Sequence, residues 1–268
     1  MFFQFLTKPF DPISICDTFT RVKFSLPLKN HMIQSQTLGQ NGRVVISLGG
    51  SIIVPNEIDY KFLAEFKIFI EKKVTEGVKF LIICGGGATG KRYIDSARRI
   101  VDVTNEDLDW LGIHATRLNA HLLRTIFKDI AFPIIITHHD ERFDVNEAVV
   151  VAGGSRPGWS TDYVSASLAV GNGLTDIINL SNIDQVYDKD PNEEGGENAK
   201  ALEQITWTKL QQMVGDKWTP NLSSPFDPIA TKLCLDNNLK LFIVNGQNIE
   251  NLEKMFAGEE FIGTIISN

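Results

Sequence analysis

The sequence predicts an α/β domain built on a mainly parallel sheet. Two observations carry that prediction. From Arg43 onward, apolar runs of strand length alternate with longer segments of helical period. Glycines or hydroxyl residues stand just beyond the carboxyl ends of several of those runs, the edge at which open α/β sheets bind ligands.

Taken in order, residues 44–48 (VVISL) form the first strand and run into GGS. Residues 60–76 place Phe62, Phe66, Phe69 and Ile70 at helical spacing, and Gly77 stops that helix. Residues 79–84 (KFLIIC) form the second strand and run into GGG. A long helical pattern over 106–130 precedes residues 132–137 (FPIIIT), which read as strand. The next apolar run, EAVVVA at 147–152, fits a strand or a helix, and YVSASLAV at 163–170 is equally open. Residues 176–180 (DIINL) form a fourth core strand, 239–246 (LKLFIVNG) a late one, and GTIIS at 263–267 an edge strand. NEEGGEN at 192–198 is a solvated loop, and no internal repeat or long linker interrupts the chain.

Residues 1–42 read as an extension and 43–268 as the main domain. The phenylalanines of the extension dock on the domain or on a partner subunit, or else Met32 is the natural start; both readings stand. With 268 residues, 43% of them hydrophobic and 22% charged, the chain buries one sizeable core or two closely packed lobes. A net charge of −7 argues against nucleic acid as a partner, so phosphate recognition must be local. Cys16, Cys84 and Cys234 are odd in number and form no CxxC pair, which suggests neither disulfides nor zinc and fits a reducing cytoplasm. No run approaches the roughly 18 apolar residues of a membrane span.

The residues between 153 and 162 read GGSRPGWSTD, with three glycines, a proline, three hydroxyls and a guanidinium before a helix. That is more than a turn needs, and it is the inventory of an anion site. Ser155, Arg156 and Gly158 are placed to meet a phosphate, and Thr161 to cap the helix with Asp162 in its first turn. Asp162 reads equally as a capping residue and as a site residue. CGGGATGKRY (84–93) closes a strand with three glycines and brings Lys91 and Arg92 into the first turns of a helix. It is not a Walker A loop, since Arg92 stands where Ser or Thr is required, and it lacks the GxGxxG frame of a dinucleotide fold. SLGGS (47–51) is a weaker signal of the same kind.

SNIDQVYDKDP (181–191) offers Tyr187 as a stacking surface and acids that either join a metal shell or stay solvated. THHDE (137–141) is not expected to bind metal, because His138 and His139 point apart on a strand and zinc spacings are missing. His114 and His121 share a helical face with Arg117 and Arg124, which reads as a solvated or subunit surface. No GxSxG elbow or nucleophilic cysteine context is present.

The order GGS, GGG with a basic residue four on, GGSRPGWSTD, SNIDQVYDKDP, SSPFDPIATK and a terminal GT resembles the amino acid kinase superfamily, and within it the archaeal-type uridylate kinases. The likeness runs from about residue 43 to 268. It implies a three-layer αβα sandwich that moves the γ-phosphoryl of ATP to UMP. It also implies Mg²⁺ arriving with ATP and no metal site in the protein, a homohexamer, no nucleic-acid or membrane partner, and a cytoplasmic location. It places Gly86, Asp109 and the loop Ser155, Arg156, Pro157, Gly158, Trp159, Ser160 and Thr161 on the UMP side. It places Gly50, Ser51, Gly87, Lys91, Ser181, Asn182, Tyr187 and Asp190 on the ATP side, with Lys91 and Asp162 as the catalytic pair. The other readings are a kinase of the same superfamily acting on isopentenyl phosphate, carbamate or an amino acid carboxylate, and a non-catalytic nucleotide or oxyanion scaffold. Cys84 counts against isopentenyl phosphate, whose kinases carry a histidine there. Two positions depart from the pattern. Ser47 stands where many members carry lysine, which shifts charge stabilisation onto Lys91. Gln185 replaces the usual glycine, and a requirement for positive φ there would reroute the loop.

Overall fold

A computed structural model describes residues 32–34, 38, 42–191, 196–216 and 224–268. The expectations for residues 1–31, for most of the 192–198 loop and for Ser223 lie outside these.

Chain order gives β1 (Met32–Gln34), β2 (Arg43–Leu48), α1 (Gly50–Ile53), α2 (Tyr60–Thr75), β3 (Lys79–Cys84), α3 (Gly87–Ile100) and α4 (Asn105–Ile126). The central part holds β4 (Val149–Ala152), α5 (Thr161–Gly171), β5 (Asp176–Ser181), β6 (Val186–Tyr187), β7 (Ala201–Leu202) and β8 (Gln204–Thr206). The chain closes with α6 (Trp207–Val214), α7 (Pro228–Asp236), β9 (Lys240–Asn245), α8 (Ile249–Ala257), β10 (Glu260–Ile262) and β11 (Thr264–Ser267).

Seven strands form one sheet in the order β4-β3-β2-β5-β9-β11-β8. β4, β3, β2, β5 and β9 run parallel, and β11 is antiparallel to β9. Alternation along β2 sends Val44, Ile46 and Leu48 into one core and Val45 into the other. The first core holds Phe62, Phe66 and Phe69 of α2, Ala120 and Leu123 of α4 and Leu252 of α8. The second holds Val164 and Ala169 of α5, Leu210 of α6 and Ala230 of α7. Helices therefore cover both faces, and the result is the three-layer αβα sandwich.

Two strand assignments need correction. FPIIIT does not form a ladder strand: Ala131 and Ile136 make only isolated bridges to Val149 and Ala152. Pro133 has no N–H to donate, the chain bends there, and Ile134 turns outward with 62% exposure. The sheet position belongs to β4, from the run that periodicity left undecided. GTIIS is not an edge either, since β11 sits inside the sheet with Ile266 fully buried and β8 takes the edge. β1 pairs antiparallel with β10, so residues 32–34 of the presumed extension are in contact with the chain's C-terminal part. Among the described residues no helix is long and apolar enough to cross a membrane.

Candidate active site

Parallel register sets Leu48 opposite Cys84, so the two glycine turns leave adjacent strands side by side. They touch backbone to backbone. A Cβ on Gly50 would lie 2.1 Å from the Gly87 nitrogen, one on Gly85 2.3 Å from the Gly50 nitrogen, and Gly87 adopts φ +60. No other residue type fits there.

Helix α4 braces both this joint and the 153–160 loop. The Asn119 side chain, buried, donates to the carbonyls of Gly85 at 2.7 Å and Gly86 at 3.2 Å. The Thr116 hydroxyl accepts from the Gly154 N–H at 2.6 Å, while the Arg117 guanidinium donates to the carbonyls of Gly154 and Ser155 at 3.0 and 2.9 Å. The Asp109 carboxylate accepts from the Gly158 N–H at 2.8 Å. Arg117, read from the sequence as part of a solvated or subunit face, is instead a loop anchor. Its neighbours His114 and His121 are exposed.

The loop itself carries a correction. Ser160, not Thr161, caps α5: its hydroxyl accepts from the Tyr163 N–H, and Thr161 is the first helical residue. Trp159 stacks on Tyr163 at 3.8 Å between centroids, and the Arg156 guanidinium lies 5.1 Å above the Trp159 ring. His139 joins the cluster, 5.6 Å from Trp159, with Nδ1 3.0 Å from the Ser155 hydroxyl. Burial holds its imidazole below the usual value, helped by Arg156 and His138 and opposed by Asp140. His138, His139, Arg156, Arg117 and Trp110 line a cavity of about 450 Å³.

A second cavity, of about 560 Å³, opens beyond β5. Ser181, Asn182, Tyr187 and Asp190, which the resemblance places on the ATP side, line it together with Asp162, Asp188 and Lys189. Gly50, Ser51, Gly87 and Lys91 stand apart from its lining, at the glycine joint and early in α3, where Lys91 is exposed. Burial raises the Tyr187 hydroxyl above its ordinary value, with the Asp184 charge adding to it. Gln185 is buried, donates to the Gly263 carbonyl at 2.8 Å and keeps an ordinary φ, since Asn238 is the one positive-φ residue other than glycine among the described residues. The loop thus takes a path that requires no glycine.

Asp162 lines that cavity. Its Oδ1 accepts from the Ser47 hydroxyl at 3.1 Å and its Oδ2 from the Asp227 N–H at 3.3 Å. Burial first, and then the Asp227 charge, push its carboxyl up to about 7 against the pull of those two hydrogen bonds. Since Ser160 takes the cap, Asp162 is free of the capping reading. The buried thiols Cys84 and Cys234 are both raised well above the ordinary cysteine value by burial, so neither is a nucleophile.

A sequence model of the Amino acid kinase family matches residues 42–245. The chain belongs to this family. Curated amino acid kinase relatives include a uridylate kinase of Pyrococcus abyssi, 33% identical over 220 residues, covering 81% of this chain and 96% of the relative. A uridylate kinase of Methanocorpusculum labreanum is 32% identical, with coverages of 84% and 96%. Among solved structures, uridylate kinase from Archaeoglobus fulgidus superposes with a TM-score of 0.71 at 32% identity, over 84% of this chain and all of that one. UMP kinase from Bacillus anthracis, at 21% identity and TM-score 0.67, shares the fold over 84% of this chain and 95% of its own.

Within this amino acid kinase chain, sequence reasoning missed the α4 anchors Asn119 and Thr116, the His139 contact and the cavity residue Lys189. Lys189 had a visible signal, since it sits between Asp188 and Asp190, two of the acids already read there as a metal shell or as solvated.

Proposed function

We propose that this protein transfers the γ-phosphoryl group of ATP to UMP, giving UDP and ADP. The observation that carries this reading is the near full-length identity of about a third to curated uridylate kinases. The site agrees in kind. Phosphoryl transfer asks for position and charge rather than for a protein nucleophile, because a phosphate oxygen of UMP attacks the γ-phosphorus while the bond to the β–γ bridging oxygen breaks.

In this reading the cavity lined by Ser181, Asn182, Tyr187 and Asp190 takes ATP. The glycine joint, with Gly50, Ser51, Gly86 and Gly87, receives the phosphates between the two substrates. Asp109 and the loop from Ser155 to Thr161 hold UMP, Lys91 neutralises developing charge, and Asp162 orients the groups around the transferred phosphoryl. Mg²⁺ arriving with ATP would supply positive charge to the phosphate oxygens. The cavity-wall carboxylates Asp188 and Asp190 would hold it through water, since no cluster of three metal-binding side chains converges among the described residues. The same reading assigns the enzyme to pyrimidine nucleotide synthesis, to the cytoplasm and to a hexameric assembly.

The test is ADP release with Mg-ATP against UMP, CMP, dTMP, isopentenyl phosphate, carbamate and N-acetylglutamate. Turnover selective for UMP is expected. Turnover with another acceptor would reassign the substrate, and silence across the panel with ATP still bound by calorimetry would leave a nucleotide-binding scaffold.

A further inference from the structure

Every residue of β2 is buried, and Ser47 is its one uncharged polar side chain, 1% exposed. A hydroxyl in such a place costs free energy unless it is hydrogen-bonded. Its side-chain bond goes to Asp162 Oδ1, across 115 residues of sequence, from the end of β2 to the first turn of α5. The Asp227 N–H, at the N-terminus of α7, engages the other oxygen. Each carboxylate oxygen therefore has a donor of its own, one from β2 and one from the start of α7, and the carboxylate lines the cavity tied to both. A serine ends at its first heteroatom, one bond beyond Cβ, so Ser47 acts through Asp162 and not on a ligand.

We propose that Ser47 is a positioning residue for phosphoryl transfer, aiming the Asp162 carboxylate and favouring its ionised form. This rests on the kinase reading above. The groups that act on Asp162 are Ser47 from β2, Asp227 capping α7 and Cys234 within it, and the charged side chains that share its cavity are Asp188, Lys189 and Asp190. The Ser47 hydroxyl donates to Asp162, and a donor to the ionised form lowers a carboxyl pKa. Removing it must raise the pH at which Asp162 ionises, whereas an ammonium at the same place must lower it.

The experiment measures two quantities on the full-length protein carrying Ser47→Ala, Ser47→Thr, Ser47→Cys and Ser47→Lys. One is the pH dependence of kcat and KM for ATP. The other is the carboxyl band of Asp162 by infrared difference titration against Asp162→Asn, which needs no turnover. The expected order of midpoints is Lys lowest, then Ser and Thr together, then Cys and Ala highest. On the acid side, Ser47→Ala should lose about tenfold in kcat, as a midpoint raised by one pH unit requires, with KM for ATP within about twofold. Ser47→Thr should restore the wild-type profile, and Ser47→Cys, nearly isosteric with a weak donor, replaces the alanine variant if that one does not fold. An infrared midpoint and a pH profile that stay put in Ser47→Ala and Ser47→Cys overturn the proposal, even if melting temperature falls. A wild-type protein without phosphotransfer but with the predicted infrared order would sink the kinase reading and leave the Ser47–Asp162 coupling standing.

Discussion

Asp162 is the residue whose environment does most to set behaviour. Burial and the neighbouring Asp227 raise its carboxyl to about 7, so the ionised form, which the proposed role of orienting cationic groups requires, is gained as pH rises through neutrality. Asp162→Asn is expected to lower kcat by about 10²–10³ and to flatten the acid limb of the pH–rate profile. The same shift makes a stability statement. A carboxyl raised in the folded state contributes stability that is complete below its unfolded value and lost as pH rises through the folded one. Thermal melting should therefore be higher at pH 5 than at pH 8, and Asp162→Asn should remove that difference. Lys91 sits exposed early in α3 and outside the hydrophobic cores, so Lys91→Ala should leave the melting temperature within about 1 °C while turnover falls about 10²–10³-fold. An unchanged rate would remove Lys91 from the mechanism.

At the scale of elements, α4 holds both the GGG turn and the 153–160 loop through side chains bound to backbone. Asn119→Ala removes two bonds to the GGG turn at a site nearly closed to water, which should cost about 1–3 kcal/mol of stability and lower kcat/KM about 10–100-fold. Denaturant unfolding and steady-state kinetics read the two effects separately. The elements themselves were largely legible. VVISL, KFLIIC and DIINL are apolar runs that end in turn-forming residues, and each is a central strand. FPIIIT misled because its composition suits a strand as well as that of VVVA, and local periodicity does not say which of two apolar runs finds a neighbour in the sheet. The glycine turns and the GGSRPGWSTD loop announced themselves by backbone chemistry. Asn119, Thr116 and Arg117 did not, because their role depends on partners 34 to 38 residues away that only the packed sheet brings within reach. Trp207 is similar: its indole donates to the Leu239 carbonyl deep in the second core, a pairing no local pattern signals.

For the molecule as a whole, the outer side of α4 leaves an apolar stripe. Leu118 is 62% exposed and Trp110 37%, with the His114 ring 6.1 Å from that of Trp110. The hexamer proposed above suits such a face, since singly these residues gain nothing from water. Leu118→Asp is expected to reduce the mass seen by light scattering while leaving the circular dichroism spectrum unchanged; an unaltered mass would move the interface elsewhere. The glycine joint at the sheet edge carries a consequence at another level. Gly50, Gly85 and Gly87 meet with no room for a Cβ, and every base change at the first two positions of a glycine codon replaces the residue. Any missense variant at these three codons therefore places a carbon inside a neighbouring peptide group. In a saturation library selected for function, the three positions should survive as synonymous changes alone, and the two turns they join should be inherited as a single unit.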